Sequence, residues 1–188
     1  KGKIIDEGCN ITWAPNTIHR AFYETEFVYN GSEHIVNNGG KVQIDSLAEL
    51  HLGNNTVVTF DGTNTSLNLK PGAKVFLGQN ARIVFKNGAY LDANGATFAG
   101  INSATWQGIV FEQSNLQHIR YCTFSNALTS LKFLYDPRNE VIAPYIHDNT
   151  FNIVPSISTF GIYSEDMNFA TIGSNTFNMS GNYSVGIY

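Results

Sequence analysis

The chain has 188 residues, with 11 Lys or Arg against 15 Asp or Glu, a net charge of -4 and a pI near 5.7. Only 14% of residues are charged, against about 25% in ordinary soluble domains, while 43% are hydrophobic, enough to build a core. No basic run offers a footprint for nucleic acid, and no apolar stretch reaches the roughly 20 residues that cross a bilayer. The chain holds 22 Asn and 17 Gly. Both residues tolerate positive φ, so a chain this rich in them turns often, which disfavours a helical bundle.

Residues 1–40 show no clear repeat. Lys3-Ile-Ile5 and Phe27-Val-Tyr29 look strand-like, and the stretch from Pro15 to Glu24 could hold a helical turn. From residue 57 onward, short alternating runs appear as Val57-Val-Thr-Phe60, Ser66-Leu-Asn-Leu69, Lys74-Val-Phe-Leu77, Arg82-Ile-Val-Phe85 and Ala89-Tyr-Leu91. Asp-Gly, Pro-Gly and Asn-Gly turns punctuate them at a beat of about eight residues. Three beats make one repeat of about 24–26 residues.

The dipeptide Thr-Phe then recurs at Thr97-Phe98, Thr123-Phe124, Thr150-Phe151 and Thr176-Phe177, at spacings of 26, 27 and 26. A second string, Gly108-Ile-Val-Phe, Ser130-Leu-Lys-Phe, Gly161-Ile-Tyr and Gly186-Ile-Tyr, recurs at 22, 31 and 25. The step from Phe124 to Ser130 is about four residues short. The surplus in the following step falls around Asp136-Pro-Arg-Asn-Glu140, which predicts a protruding loop.

Three short strands per repeat, without helical periodicity, describe a solenoid in which each strand pairs in parallel with its equivalent about 4.8 Å away. Equivalent residues then stack in columns. Phe98, Phe124, Phe151 and Phe177 form one internal column, and Ile119, Ile146 and Ile172 another. The predicted fold is all-β: a right-handed parallel β-helix of about six coils of 24–27 residues over 41–188. Residues 1–40 are expected to cap its first coil. The final Gly186-Ile-Tyr188 lies inside a repeat, so the solenoid is expected to be truncated there or continued by another segment or subunit.

The run Ile146-His-Asp-Asn-Thr-Phe151 resembles the right-handed parallel β-helices of the pectate-lyase-like superfamily. The string Trp106-Gln-Gly-Ile-Val-Phe111 is similar to the W-x-G-I-x-F string of secreted bacterial β-helix proteins. The resemblance implies an internal Asn ladder at a bend between two sheets, with Asn149 and Asn175 as rungs and Cys122 in place of one. It implies an extracellular or cell-surface setting in bacteria. It does not select a chemistry, because the superfamily hosts lyases, hydrolases, esterases, adhesins and inert spikes.

With Ile119 and its equivalents pointing inward, two flanking columns point outward: Asp92, His118, Tyr145, Thr171 and Asn94, Arg120, His147, Gly173. Asp92, His118, Arg120, Tyr145 and His147 then share one face. Tyr for stacking, with Arg, His and Asp for hydroxyls or carboxylates, suits a saccharide surface. The plainer reading is a solvated sheet face.

Catalytic candidates are the carboxylates Asp136, Glu140 and Asp148, which could flank a glycosidic bond, and the bases Arg120 and Arg138, which could serve an elimination. Such elimination often uses Ca²⁺; no dense acidic cluster accompanies these residues, so no cofactor is expected beyond that possible calcium. The five histidines show no H-x-x-x-H or HExxH spacing, and no metal site is expected. Cys9 and Cys122 could pair, but two cysteines make no disulfide framework.

The favoured function is an exported module, a rigid spacer or adhesin that contacts a polysaccharide or cell-surface glycan. A polysaccharide lyase or glycoside hydrolase is the second expectation. A self-assembling subunit that associates end to end is the third.

Overall fold

The structure is a computed structural model that describes residues 3–7, 11–12, 16–22, 25–31, 33–114, 117–134, 144–154, 159–165, 171–180 and 184–188. It is a parallel β-solenoid with three sheets. The first sheet stacks Lys3–Glu7, Glu26–Asn30, Glu49–Leu52, Lys74–Leu77, Thr97–Gly100, Thr123–Ser125, Thr150–Ile153 and Thr176–Met179. The second stacks Ile11–Thr12, Glu33–Asn37, Val57–Asp61, Arg82–Lys86, Trp106–Glu112, Ala127–Phe133, Thr159–Ser164 and Ser184–Ile187. The third stacks Ile18–Ala21, Lys41–Ile44, Ser66–Leu69, Tyr90–Asn94, His118–Arg120, Tyr145–His147 and Thr171–Gly173. The chain visits the sheets in that order, once per coil, and every strand pairs in parallel with its equivalent one coil on.

Residues 41–188 account for about six coils, as the repeat predicts. The strands of residues 3–37 belong to the same three sheets and extend the stack. Within the stretch expected to hold a helical turn, Ile18–Ala21 is a strand that pairs with Lys41–Ile44.

Alternation decides which side chains go inward. Lys74–Leu77 buries Val75 and Leu77 and leaves Lys74 and Phe76 half-exposed. Inward residues stack coil on coil. In the first sheet the column runs Phe27, Leu50, Val75, Phe98, Phe124, Phe151 and Phe177. Its last four rings lie parallel at centroid spacings of 4.8–4.9 Å. A second aromatic column, Phe60, Phe85, Phe111 and Phe133, fills the second sheet at 4.5–5.4 Å. The inner rings, Phe85, Phe111, Phe124 and Phe151, are shielded on both faces by their own equivalents, and the spacing is that of the strands themselves.

The corners use the turn residues. Asn16, Asn38, Asn55, Asn64, Asn80, Asn87, Asn102 and Asn126 all have positive φ, the conformation their short polar side chains tolerate best. At the corner from the third sheet to the first, one residue per coil is left-handed: Leu47, Gly72, Gly95, Tyr121, Asp148, then Ser174. Three Asn-Gly dipeptides have their glycine N–H committed to the next coil. Gly39 donates to Thr65 Oγ1 at 3.0 Å, Gly88 to the Gln113 carbonyl at 2.8 Å and Gly95 to the Arg120 carbonyl at 2.9 Å.

The residue after the left-handed corner points inward: Ala48, Ala73 and Ala96 in the middle coils, then Cys122, Asn149 and Asn175. The two asparagines form a ladder. Asn149 accepts the Cys122 N–H on Oδ1 at 2.8 Å and donates from Nδ2 to the Ile119 carbonyl at 2.8 Å. Asn175 accepts the Asn149 backbone N–H at 2.9 Å and its Nδ2 at 3.0 Å, and donates to the Ile146 carbonyl at 2.9 Å. Cys122 takes the preceding place as a free buried thiol bonded to the Arg120 carbonyl at 3.2 Å. Burial pushes this thiol up to about 11, which removes its nucleophilic form at neutral pH.

The irregular steps of the second string have structural causes. One coil leaves the first sheet through a 3₁₀ turn at Ile101–Ser103 before Trp106–Glu112; the next passes from Ser125 to Ala127 through Asn126 alone. A bulge restores one residue of the difference: Gly108 pairs with Thr129 but Ile109 pairs with Leu131, so Ser130 is the extra residue. The surplus residues fall between Phe133 and Tyr145, and the loop expected there lies outside the described residues. Its Asp136, Arg138 and Glu140 lie outside the described residues.

Candidate functional site

The outer face of the third sheet carries the two columns expected. Asp92 pairs with His118, His118 with Tyr145, and Tyr145 with Thr171. Asn94 pairs with Arg120, Arg120 with His147, and His147 with Gly173. Between the columns Ile119 and Ile146 are fully buried, which forces their neighbours outward.

Tyr145 and His147, two residues apart on one strand, project from the same face. Their rings are near parallel, with centroids 5.5 Å apart and 12° between planes. Nδ1–H of His147 donates to the Asp148 carboxylate at 2.6 Å, which fixes the ring's orientation. Gly173 completes the seat. A Cβ there would come within 2.9 Å of His147 Cδ2 and Nε2, so only glycine leaves the imidazole its place in the column. His118 and Arg120 are exposed. The Arg120 guanidinium has no ion-pair partner among the described residues, and its five N–H donors are open to a ligand.

Tyr121 is the residue that sequence reasoning missed. It follows Arg120 at the left-handed corner with φ +55, is 61% exposed, and donates its N–H to the His147 carbonyl at 3.3 Å. Gly72 and Gly95 fill the equivalent place at no steric cost, whereas a bulky side chain there is strained by about 1–2 kcal/mol. Alignment with Gly95 and Asp148 was the available signal. The strained tyrosine stands beside Arg120, one coil from Tyr145 and His147.

Of the catalytic candidates, the described residues include Arg120 and Asp148. The structure brings them to neighbouring coils on one face, with Asp148 already engaged by His147. Elsewhere, ligand atoms of Glu26, Glu49 and His51 lie within 4.8 Å of one another on the outer face of the first sheet. Histidine spacing alone did not reveal this group. His51 and Lys74 bond Glu49 at 2.9 and 3.3 Å, so its charge is already balanced by protein. On the outer face of the second sheet, Tyr163 and Tyr188 stack at 5.2 Å, with Lys132 Nζ 5.3 Å from the Tyr163 ring centroid.

The fold and this face define a parallel β-solenoid with an aromatic and basic patch on one sheet. Comparison with family models, with curated proteins and with solved structures finds no match to this chain.

Proposed function

We propose that the chain is a non-catalytic module of the right-handed β-helix type, allied to the pectate-lyase-like superfamily. It serves as a rigid spacer or adhesin on the outside of a bacterial cell and contacts glycans through the outer face of the third sheet. The observation that carries this reading is the Tyr145–His147 stack beside the exposed Arg120, which has no ion-pair partner among the described residues. Aromatic rings offer apolar surface to the C–H faces of a sugar, and a guanidinium fork offers paired donors to its hydroxyls or carboxylates. The stiffness of the solenoid supports the spacer role, because each coil is tied to the next by three strand pairings. The string Trp106-Gln-Gly-Ile-Val-Phe111 and the Asn-rich composition with few charged residues support the exported setting.

A glycan array probed with the wild-type chain, Tyr145→Ala and Arg120→Ala tests the reading. Both variants should lose binding to the glycans that the wild type retains; unchanged binding in both would sink it.

A further inference from the structure

The outer face of the first sheet gathers an imidazole and two carboxylates from two successive coils. Glu26 and Glu49 hold equivalent places on neighbouring strands, and His51 stands two residues along from Glu49, on the same face. One ligand atom from each of the three lies within 4.8 Å of the other two. We propose that Glu26, Glu49 and His51 bind a divalent transition metal of the zinc type, and that the ion clamps one coil to the next.

The two ligands on one strand already share a proton where the ion would sit. His51 Nε2 and Glu49 Oε2 are 2.9 Å apart. Glu49 is held ionised below its ordinary 4.5, so the carboxylate accepts and the imidazole nitrogen supplies the proton. Zinc bonds to nitrogen and oxygen of about 2.0–2.2 Å set two ligands of a tetrahedral ion about 3.3 Å apart. Exchanging the proton for the ion therefore opens the pair by only a few tenths of an ångström. Glu26 supplies the third ligand from the preceding coil, and water takes the fourth position.

The surroundings leave this exchange open. Lys74 bonds Oε1 of Glu49 at 3.3 Å, the oxygen turned away from His51, so it orients the carboxylate without taking the ligand atom. Lys3 is in register with Glu26, and Lys74 with Glu49, so the column runs Lys, Glu, Glu, Lys. The two like charges meet in its middle, beside His51. The Phe76 ring lies 5.0 Å from the imidazole and shields one flank, and all three ligands are half-buried.

The donor set selects the ion. Imidazole with carboxylate suits zinc, nickel or copper, whereas calcium asks for about six to eight oxygens. Binding releases the Nε2 proton, so affinity falls in acid. The ion joins Glu26 of one coil to Glu49 and His51 of the next, a geometry that exists only in the folded stack, so it raises the thermal midpoint.

The test is calorimetric titration of the whole chain with zinc chloride near neutral pH, in two buffers of different protonation enthalpy, with thermal midpoints measured alongside. Zinc should bind with release of a proton and raise the midpoint, while calcium and magnesium at equal concentration should not. His51→Ala and Glu26→Gln should each weaken zinc binding by about tenfold or more. Glu26→Gln keeps the shape of the residue it replaces, so it gives the reading if His51→Ala lowers the metal-free midpoint. His147→Ala should leave the affinity intact, which separates this cluster from the third-sheet face. The proposal is overturned by zinc that neither binds nor raises the midpoint, by calcium acting as strongly as zinc, by binding without proton release, or by unchanged affinity in Glu26→Gln and His51→Ala.

Discussion

Asn149 and Cys122 face each other across one coil step, with the asparagine Oδ1 accepting the cysteine's backbone N–H at 2.8 Å. The same asparagine donates to the Ile119 carbonyl and to Asn175. Asn149 is 1% exposed, so water cannot replace what it supplies. Each buried backbone group left without a partner costs about 1–3 kcal/mol. Asn149→Ala strands the Cys122 N–H and one carbonyl bond, so the expected loss is about 2–4 kcal/mol in urea unfolding. Asn175→Ala should cost less, because that rung is only half-buried. A loss below about 1 kcal/mol for Asn149→Ala would show that the corner is held by packing alone.

The two Phe columns make a separate prediction. Phe124 is fully buried between Phe98 and Phe151, and Phe111 between Phe85 and Phe133. Phe124→Ala and Phe111→Ala should each cost about 3–5 kcal/mol. Phe124→Ala combined with Phe151→Ala should be non-additive, since both remove the same ring contact, while Phe124→Ala with Phe111→Ala should come closer to additive. Equilibrium denaturation of the single and double variants decides it.

Tyr121→Gly should separate stability from binding. Glycine removes the steric penalty at φ +55 and loses more freedom on folding, for a net gain of about 0.5–1 kcal/mol. The same change should weaken glycan binding at the third-sheet face. A variant that is both less stable and fully binding would place Tyr121 among ordinary packing residues.

Glu49 predicts an acid-side loss of stability. Burial alone would raise its carboxyl, but hydrogen bonds from His51 and Lys74, with their charges, outweigh it and hold the group below its ordinary 4.5. A group depressed in the folded state stabilises fully above its unfolded value and loses that contribution as pH falls through the folded value. The difference in thermal midpoint between wild type and Glu49→Gln should therefore hold steady from neutral pH down to the ordinary carboxylate range and shrink below 4.5. A difference that persists undiminished in strong acid refutes the assignment.

Legibility varied along the chain for physical reasons. The outward columns through Asp92, His118, Arg120, Tyr145 and His147 were readable residue by residue, because Thr-Phe recurs at almost constant spacing and a parallel register copies that spacing into space. The earlier coils hid the same column, since Phe27, Leu50 and Val75 fill the place of Phe98 with unlike side chains of similar role. The strands of residues 3–37 therefore passed for a region outside the repeat. The second aromatic column was written in Phe60, Phe85, Phe111 and Phe133, but the short connection from Ser125 to Ala127 broke its interval. Tyr121 could be found only by aligning it with Gly95 and Asp148, for a different cause. A left-handed φ belongs to a position in the coil, and it shows in sequence only where Gly or Asn occupies that position.

The glycine amides locked between coils bear on how the protein ages. An Asn-Gly pair degrades spontaneously when the glycine nitrogen swings onto the asparagine side chain, closes a succinimide and expels ammonia. In Asn38-Gly39, Asn87-Gly88 and Asn94-Gly95 that nitrogen is held by the adjacent coil and cannot make the swing while the stack is intact. Three of the chain's four Asn-Gly dipeptides, the kind quickest to decay in a loose chain, are thereby guarded by the solenoid. Long storage in the folded state should leave their mass unchanged, and brief unfolding should start the clock.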